Sequence, residues 1–173
     1  MSKKFLIIEA RFYNNISDIL VDGAIKQLEL NKFKYERLEV PGALEIPAAI
    51  AMAARTGFYA GFVALGCVIK GQTPHFNFIS QSTTNAIMDI SIKCKKPIGN
   101  GIITCDNKKQ AVKRADPSKK DKGGDAEVVL KSESLKGLED KFGKKTDENE
   151  DGVVDKVAYD DNGDFKIDIV HSL

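Results

Sequence analysis

Gly61-Phe62-Val63-Ala64-Leu65-Gly66-Cys67-Val68-Ile69, followed after Lys70 by Gly71-Gln72-Thr73-Pro74-His75-Phe76, is the stretch that decides the fold. An unbroken apolar run bounded by glycines suits a strand buried on both faces, not one with a wet side. It runs into a glycine-opened loop carrying a hydroxyl, a rigid proline and a histidine. The chain has two histidines, and the other, His171, stands near the far end of the sequence. His75 is therefore the candidate for proton exchange near neutral pH, where an unperturbed imidazole titrates. The alternative is a loop histidine with no duty.

Working outward, apolar strand-like runs alternate with helical patterns. Phe5 to Ala10 reads as a strand. Ile16 to Leu30 reads as a helix, with Ile16, Ile19, Leu20, Ala24 and Leu28 at helical spacing. Tyr35 to Val40 is a second strand, broken by Pro41-Gly42, and Ala43 to Arg55 a helix. After the central strand, Asn77 to Lys95 is a helix with Ile79, Ala86, Ile87 and Ile90 inward. Pro97 to Thr104 is the fourth strand and Lys108 to Ala115 a short helix. Asp116 to Gly124 is a polar loop, and Asp125 to Leu138 a last helix. This alternation predicts an α/β fold, a three-layer αβα sandwich around a four-stranded parallel sheet. Ligands of such sheets bind at the carboxyl ends of the strands. Here those ends are the loops beginning near Arg11, Pro41, Lys70 and Cys105.

Composition narrows the classes. The formal net charge of +1 calls for neither nucleic acid nor an anionic membrane as partner. The longest apolar runs are about half of the ~20 residues that span a bilayer. Met1-Ser2-Lys3-Lys4 leads into too short an apolar stretch for a signal peptide, and three widely spaced cysteines without a C-x-x-C pair suit reduced thiols. A cytoplasmic protein without structural metal is expected. The charge is uneven: residues 139–173 hold 11 acidic and 5 basic side chains, residues 1–138 hold 14 and 21. The chain thus divides into a mildly basic body, 1–138, and an acidic, loosely folded tail, 139–173. In the tail Asp147, Asn149, Asp151 and Gly152 have the spacing of the opening half of a calcium loop. Its twelfth position is Ala158, which has no carboxylate, so a solvated tail is the better reading.

The strand-end loops carry the unusual chemistry. Phe12, beside Arg11, is either a core residue or a stacking surface for a planar heterocycle. Glu45 either sits in a first helical turn, favoured by the dipole, or accepts a ligand hydroxyl. Gly71-Gln72-Thr73 offers amides and a hydroxyl ahead of a helix start, a fair anion cradle without the P-loop lysine. Arg114 and Lys122, on either side of the Asp116-to-Asp121 loop, are either surface charge or phosphate ligands.

These segments, taken in order, resemble the lumazine synthase family. The match lies in Arg11-Phe12, in Val40-Pro41-Gly42-Ala43-Leu44-Glu45-Ile46-Pro47, and in Ala64 to Phe76. It continues from Gln110-Ala111-Val112-Lys113-Arg114-Ala115 to Asp121-Lys122-Gly123. The resemblance covers roughly residues 4–138 and implies a flavodoxin-like sandwich. It also implies condensation of 5-amino-6-ribitylaminouracil with 3,4-dihydroxy-2-butanone 4-phosphate to 6,7-dimethyl-8-ribityllumazine, the penultimate step of riboflavin biosynthesis, without a cofactor. By that resemblance Phe12 stacks on the pyrimidine, Gly42 and Ala43 meet it through the backbone, and Val68 and Ile69 belong to the substrate-binding set. Glu45 accepts a ribityl hydroxyl, Gln72 and Thr73 hold the phosphate, and His75 moves protons. Arg114 and Lys122 come from a neighbouring subunit of a homopentamer whose sites lie between chains.

Three positions depart from the family pattern. Tyr13 stands where asparagine is frequent, and Asn100 where an aromatic often faces the pyrimidine. Ala115 to Asp121 replaces the glycine-rich loop of capsid-forming members, which favours a free pentamer over a sixty-subunit shell. Two rival readings accompany this one. A non-catalytic flavin- or lumazine-binding module on the same fold would not need His75, Arg114 and Lys122 together. A receiver domain would show acidic residues at the first strand end, where Ile8-Glu9-Ala10-Arg11 supplies no cluster.

Overall fold

A computed structural model describes residues 4–126 in full, together with the backbone of three short strands at 143–146, 156–159 and 169–172. The chain forms two compact units, residues 1–131 and 132–173.

The first unit is built on strands β1 (Lys4–Ala10), β2 (Lys34–Val40), β3 (Gly61–Ile69) and β4 (Ile98–Cys105). All neighbours are parallel, in the order β2-β1-β3-β4. The expected four-stranded parallel α/β fold is present. The two central strands are the ones whose sequence is almost wholly apolar, because both of their faces are covered. On one face Phe5, Ile7, Val63, Leu65 and Ile103 pack with Ile16, Leu20, Ala24 and Leu28 of α1 (Asn14–Leu30) and Ala111 and Ala115 of α4 (Lys108–Ala115). On the other face Leu6, Ile8, Phe62, Ala64 and Ile98 pack with Ile46 and Ile50 of α2 (Ile46–Ala54) and Ile87 of α3 (His75–Cys94). Each fully buried side chain such as Ile7 or Phe62 contributes about 1.5–3 kcal/mol relative to exposure.

Several boundaries differ from the sequence expectation. Ala43 to Arg55 is not one helix: Ala43–Glu45 is a single 3₁₀ turn, and α2 follows it with Pro47 in its first turn. That proline is tolerated there because first-turn amides have no partner inside the helix. Helix α3 begins at His75, before the expected Asn77, so His75 is a helical residue and not a loop one. The loop expected over Asp116 to Gly124 contains a short helix, α5 (Lys122–Asp125). Close packing of backbone places it: a Cβ on Gly123 would lie 2.0 Å from the carbonyl oxygen of Leu20, and one on Gly99 1.8 Å from that of Ala126. The helix expected over Asp125 to Leu138 lies beyond Ala126 outside the described residues.

In the second unit β5 (Gly143–Thr146), β6 (Lys156–Tyr159) and β7 (Ile169–Ser172) form an antiparallel sheet in that order. These strands fall within the segment read as an acidic tail. Ala158, the twelfth position of the calcium-loop pattern, pairs in β6 with Lys144 and Val170. Residues 147–155 of that pattern lie outside the described residues.

Candidate active site

Three adjacent strand ends build one cleft of about 480 Å3. Phe12 and Tyr13 come from the end of β1, and Pro41 to Glu45 from the end of β2. Cys67, Val68 and Ile69 close β3, and Gly71, Thr73, His75, Phe76 and Ile79 follow on the way into and along α3. The β1 and β3 connections leave toward opposite faces, since α1 and α3 cover opposite sides. The cleft therefore lies where ligands of such sheets bind.

Each lip is held locally. After β1 the Arg11 amide donates to the Val40 carbonyl at 2.9 Å, and the buried Ser17 hydroxyl donates to the carbonyls of Ala10 (2.6 Å) and Tyr13 (3.1 Å). Phe12 is 71% exposed, which removes the core-residue alternative; its ring meets that of Tyr13 edge-on at 4.9 Å. Arg11 turns away from the cleft, donating to Glu9 and to Asp18. After β2, Gly42 is extended and the 3₁₀ turn brings the Glu45 carboxylate back toward it. A Cβ at position 42 would lie 3.1 Å from Glu45 Oε2, so a larger residue there would press on that oxygen. After β3, the Lys70 amide is tied to the Cys105 carbonyl at 2.8 Å, and Thr73 and His75 flank the start of α3. The first-turn amides and the helix dipole favour an anion at that lip.

The floor is apolar. Burial, and then the nearby Cys105, push the Cys67 thiol up to about 12, so it lines the cleft as a neutral group. Apolar walls with a few polar groups, here Glu45, Thr73 and His75, are the make-up of a small-molecule site.

Of the residues singled out from sequence, Phe12, Gly42, Ala43, Glu45, Val68, Ile69, Thr73 and His75 meet in this cleft. Gln72 is exposed between two lining residues without lining it. Asn100, Arg114 and Lys122 are not brought to it. Asn100 is exposed on the edge strand β4, and its Oδ1 accepts from the Ile102 amide at 3.0 Å. Arg114 is exposed on α4, while Lys122 on α5 donates to Asp125 at 2.6 Å. Both helices lie with α1, across the sheet from α2 and α3. Tyr13 lines the cleft, and so do Leu44, Cys67, Phe76 and Ile79, to which the sequence pattern assigns no part in a site. Two had a signal: Phe76 and Ile79 stand one and four residues after His75, and residues three or four apart share a helix face.

The family model for 6,7-dimethyl-8-ribityllumazine synthase matches residues 2–132. The chain belongs to the lumazine synthase family. Proteins named 6,7-dimethyl-8-ribityllumazine synthase are similar over most of their length. That of Erythrobacter litoralis is 48% identical over 140 residues, covering 81% of this chain and 98% of its own. That of Zymomonas mobilis is 50% identical, covering 71% and 88%. That of Bartonella bacilliformis is 52% identical, covering 68% and 79%. The family match takes in the cleft and also Asn100, Arg114 and Lys122, and it ends before the strands of the second unit.

Proposed function

We propose that this lumazine synthase family member condenses 5-amino-6-ribitylaminouracil with 3,4-dihydroxy-2-butanone 4-phosphate to 6,7-dimethyl-8-ribityllumazine. It is a transferase of riboflavin biosynthesis. The uracil amino group attacks the ketone and water leaves to give an imine. Phosphate is then eliminated, and ring closure expels a second water. The observation that carries the assignment is the cleft itself, an apolar slot with His75 at its lip in a chain of this family.

Within it Phe12 stacks on the pyrimidine, the Gly42–Ala43 backbone hydrogen-bonds its edge, and Val68 and Ile69 line its bed. Glu45 accepts from the ribityl chain. Gln72, Thr73 and the start of α3 hold the phosphate, and His75 carries protons between intermediates. Proton transfer of this kind contributes roughly 10²–10⁴-fold in rate, and holding two reactants in register up to ~7–11 kcal/mol. Positioning is therefore the larger share.

The second half of the site comes from another copy. Arg114, Lys122 and Asn100 of one chain complete the cleft of the next in a cyclic pentamer. In keeping with this, the large apolar side chains Phe78, Met88 and Ile92 of α3 and Met52 of α2 are exposed in the single chain. The enzyme works in the cytoplasm. Among the described residues no helix is long and apolar enough to cross a membrane, and the three cysteines are free thiols. A non-catalytic binding module is not favoured, because the similar proteins carry the synthase name. Mixing the purified protein with both substrates tests the assignment: lumazine absorbance and fluorescence should appear with release of phosphate. Ligand binding without product would favour the non-catalytic module.

A further inference from the structure

Phe12 poses a problem of placement. An aromatic ring that is 71% exposed has almost no packing to hold it, yet stacking on a heterocycle requires a fixed plane. Its only ring neighbour among the described residues is Tyr13, which is itself the cap of α1 and makes no side-chain capping bond. Something outside the two rings has to set the backbone that carries them.

The side chain before Phe12 is built to do this. Arg11 reaches from the end of β1 in two directions. One guanidinium nitrogen, Nη1, donates to Glu9 Oε2 at 3.1 Å, and the other, Nη2, donates to Asp18 Oδ1 at 2.7 Å. Glu9 belongs to the sheet and is wholly buried, while Asp18 belongs to the first part of α1. Phe12 and Tyr13 are the whole connection between those two elements beyond Arg11. The fork thus ties the end of β1 to α1 across the turn, alongside the Ser17 hydroxyl's bonds to the Ala10 and Tyr13 carbonyls. Guanidinium, planar and always charged, can bridge two carboxylates on separate elements; an ammonium has neither the reach nor the fork.

Glu9 does not depend on Arg11 for charge compensation. Arg37 of β2 donates to it twice, from Nε to Oε1 at 2.7 Å and from Nη2 to Oε2 at 3.1 Å. Loss of Arg11 would leave the buried carboxylate paired. What would be lost is the side-chain tie from the sheet to Asp18; the Ser17 hydroxyl of α1 would still bond the Ala10 and Tyr13 carbonyls. The network is asymmetric: Arg37 serves the core, and Arg11 serves the turn.

We infer that Arg11, bridging Glu9 and Asp18, is a positioning residue that orients Phe12 for stacking on the pyrimidine substrate. This rests on the stacking role given to Phe12 above. Misplacement of a binding group by an ångström costs up to about 10²-fold in favourable systems. The expected effect of Arg11→Ala is a rise of about tenfold in the dissociation constant of 5-amino-6-ribitylaminouracil, with the KM of the butanone phosphate unchanged.

The test is a double-mutant cycle on the full-length protein, with binding of the ribitylaminouracil alone read by calorimetry and steady-state kinetics alongside. Phe12→Ala should weaken binding by at least as much as Arg11→Ala, and Arg11→Ala added to Phe12→Ala should weaken it no further. Asp18→Ala, at an exposed helical position where folding is not at risk, should show a smaller loss of the same kind, about threefold. Arg11→Lys should fall between wild type and alanine. If Phe12→Ala weakens binding and Arg11→Ala adds its full effect on top, Arg11 does not act through the ring and the proposal fails alone. If Phe12→Ala leaves binding unchanged, the stacking role fails and the proposal with it. A fall in melting temperature for Arg11→Ala with unaltered affinity would make the bridge purely structural and overturn it.

Discussion

The cleft and the cationic groups expected to serve it occupy different parts of the same chain. Phe12, the Gly42–Ala43 turn, Glu45 and His75 come from the ends of β1, β2 and β3 and converge. Arg114 and Lys122 come from helices beyond β4, packed on the other face of the sheet, and Asn100 looks out from the edge strand. The first group is organised by strand ends in fixed register, so a single chain completes it. The second is organised by α4 and by the glycine-tight packing of α5 against α1, which presents these side chains outward. One chain can thus cradle a neutral heterocycle, but it does not bring a guanidinium to the phosphate end. The difference is what a head-to-tail ring would remedy, since a heterologous contact sets one patch of each subunit against a different patch of the next.

The largest expected effect breaks or keeps this division outright. His75→Ala and Arg114→Ala chains, each assembled alone, should be poorly active. Dissociated, mixed and reassembled, about one quarter of the interfaces should pair an intact His75 with an intact Arg114, and activity should return in that proportion. Verified mixed rings that recover nothing would put both groups to work on the same chain.

Next in size is His75→Ala itself, expected to lower kcat by about 10–1000-fold with little change in substrate affinity, because proximity is supplied by other groups. An unchanged kcat would return His75 to a surface helix start with no duty. Smaller again is Arg114→Ala, expected to raise the KM of the butanone phosphate by roughly thirtyfold while affinity for the uracil stays within about twofold. Arg114→Lys should be nearly as poor if the phosphate is held by both nitrogens of the fork. Equal losses for both substrates would remove Arg114 from the phosphate subsite.

The same division marks what could be read from sequence. The four strands and their parallel arrangement are legible because β3 is apolar throughout and β1 is apolar but for Lys4 and Glu9. The cleft was legible because its residues sit in short turns immediately after strands, where sequence order and spatial order agree. The sequence pattern puts His75 in a loop, although Pro74 fits the residue before a helix as well as it fits a turn. The split of Ala43 to Arg55 into a 3₁₀ turn and a helix was hidden, since its composition favours helix throughout. In the sequence Arg11 is a cation beside an aromatic at a strand end. Its engagement with Glu9 and Asp18 depends on α1 crossing over the end of β1, a tertiary fact that no local pattern carries. For the same reason residues 114 and 122, near the cleft in motif order, lie away from it within the chain.

The smallest expected effect concerns the cleft floor and sharpens what it means for one chain to complete its half. Cys67 lines the cleft but is only 7% exposed, and burial holds its thiol near 12, well above the ordinary value of 9.0. Alkylation proceeds through the thiolate. The upward shift keeps the neutral form dominant well above pH 8, so little thiolate is present there to react. Cys105 is buried too, its thiol likewise shifted upward by burial, whereas Cys94 at the end of α3 is partly exposed. Iodoacetamide applied to the native protein at pH 8 should therefore label Cys94 first and leave Cys67 nearly untouched, with turnover unchanged after labelling. Peptide mass mapping reads the outcome directly. Rapid labelling of Cys67 without ligand would show that the floor opens to solvent and that the cleft is shaped only when substrate or a second chain closes it. Protection of Cys67 in the ligand-free protein, by contrast, would show that β1, β2 and β3 preform the heterocycle's bed, leaving only the charged half to be supplied.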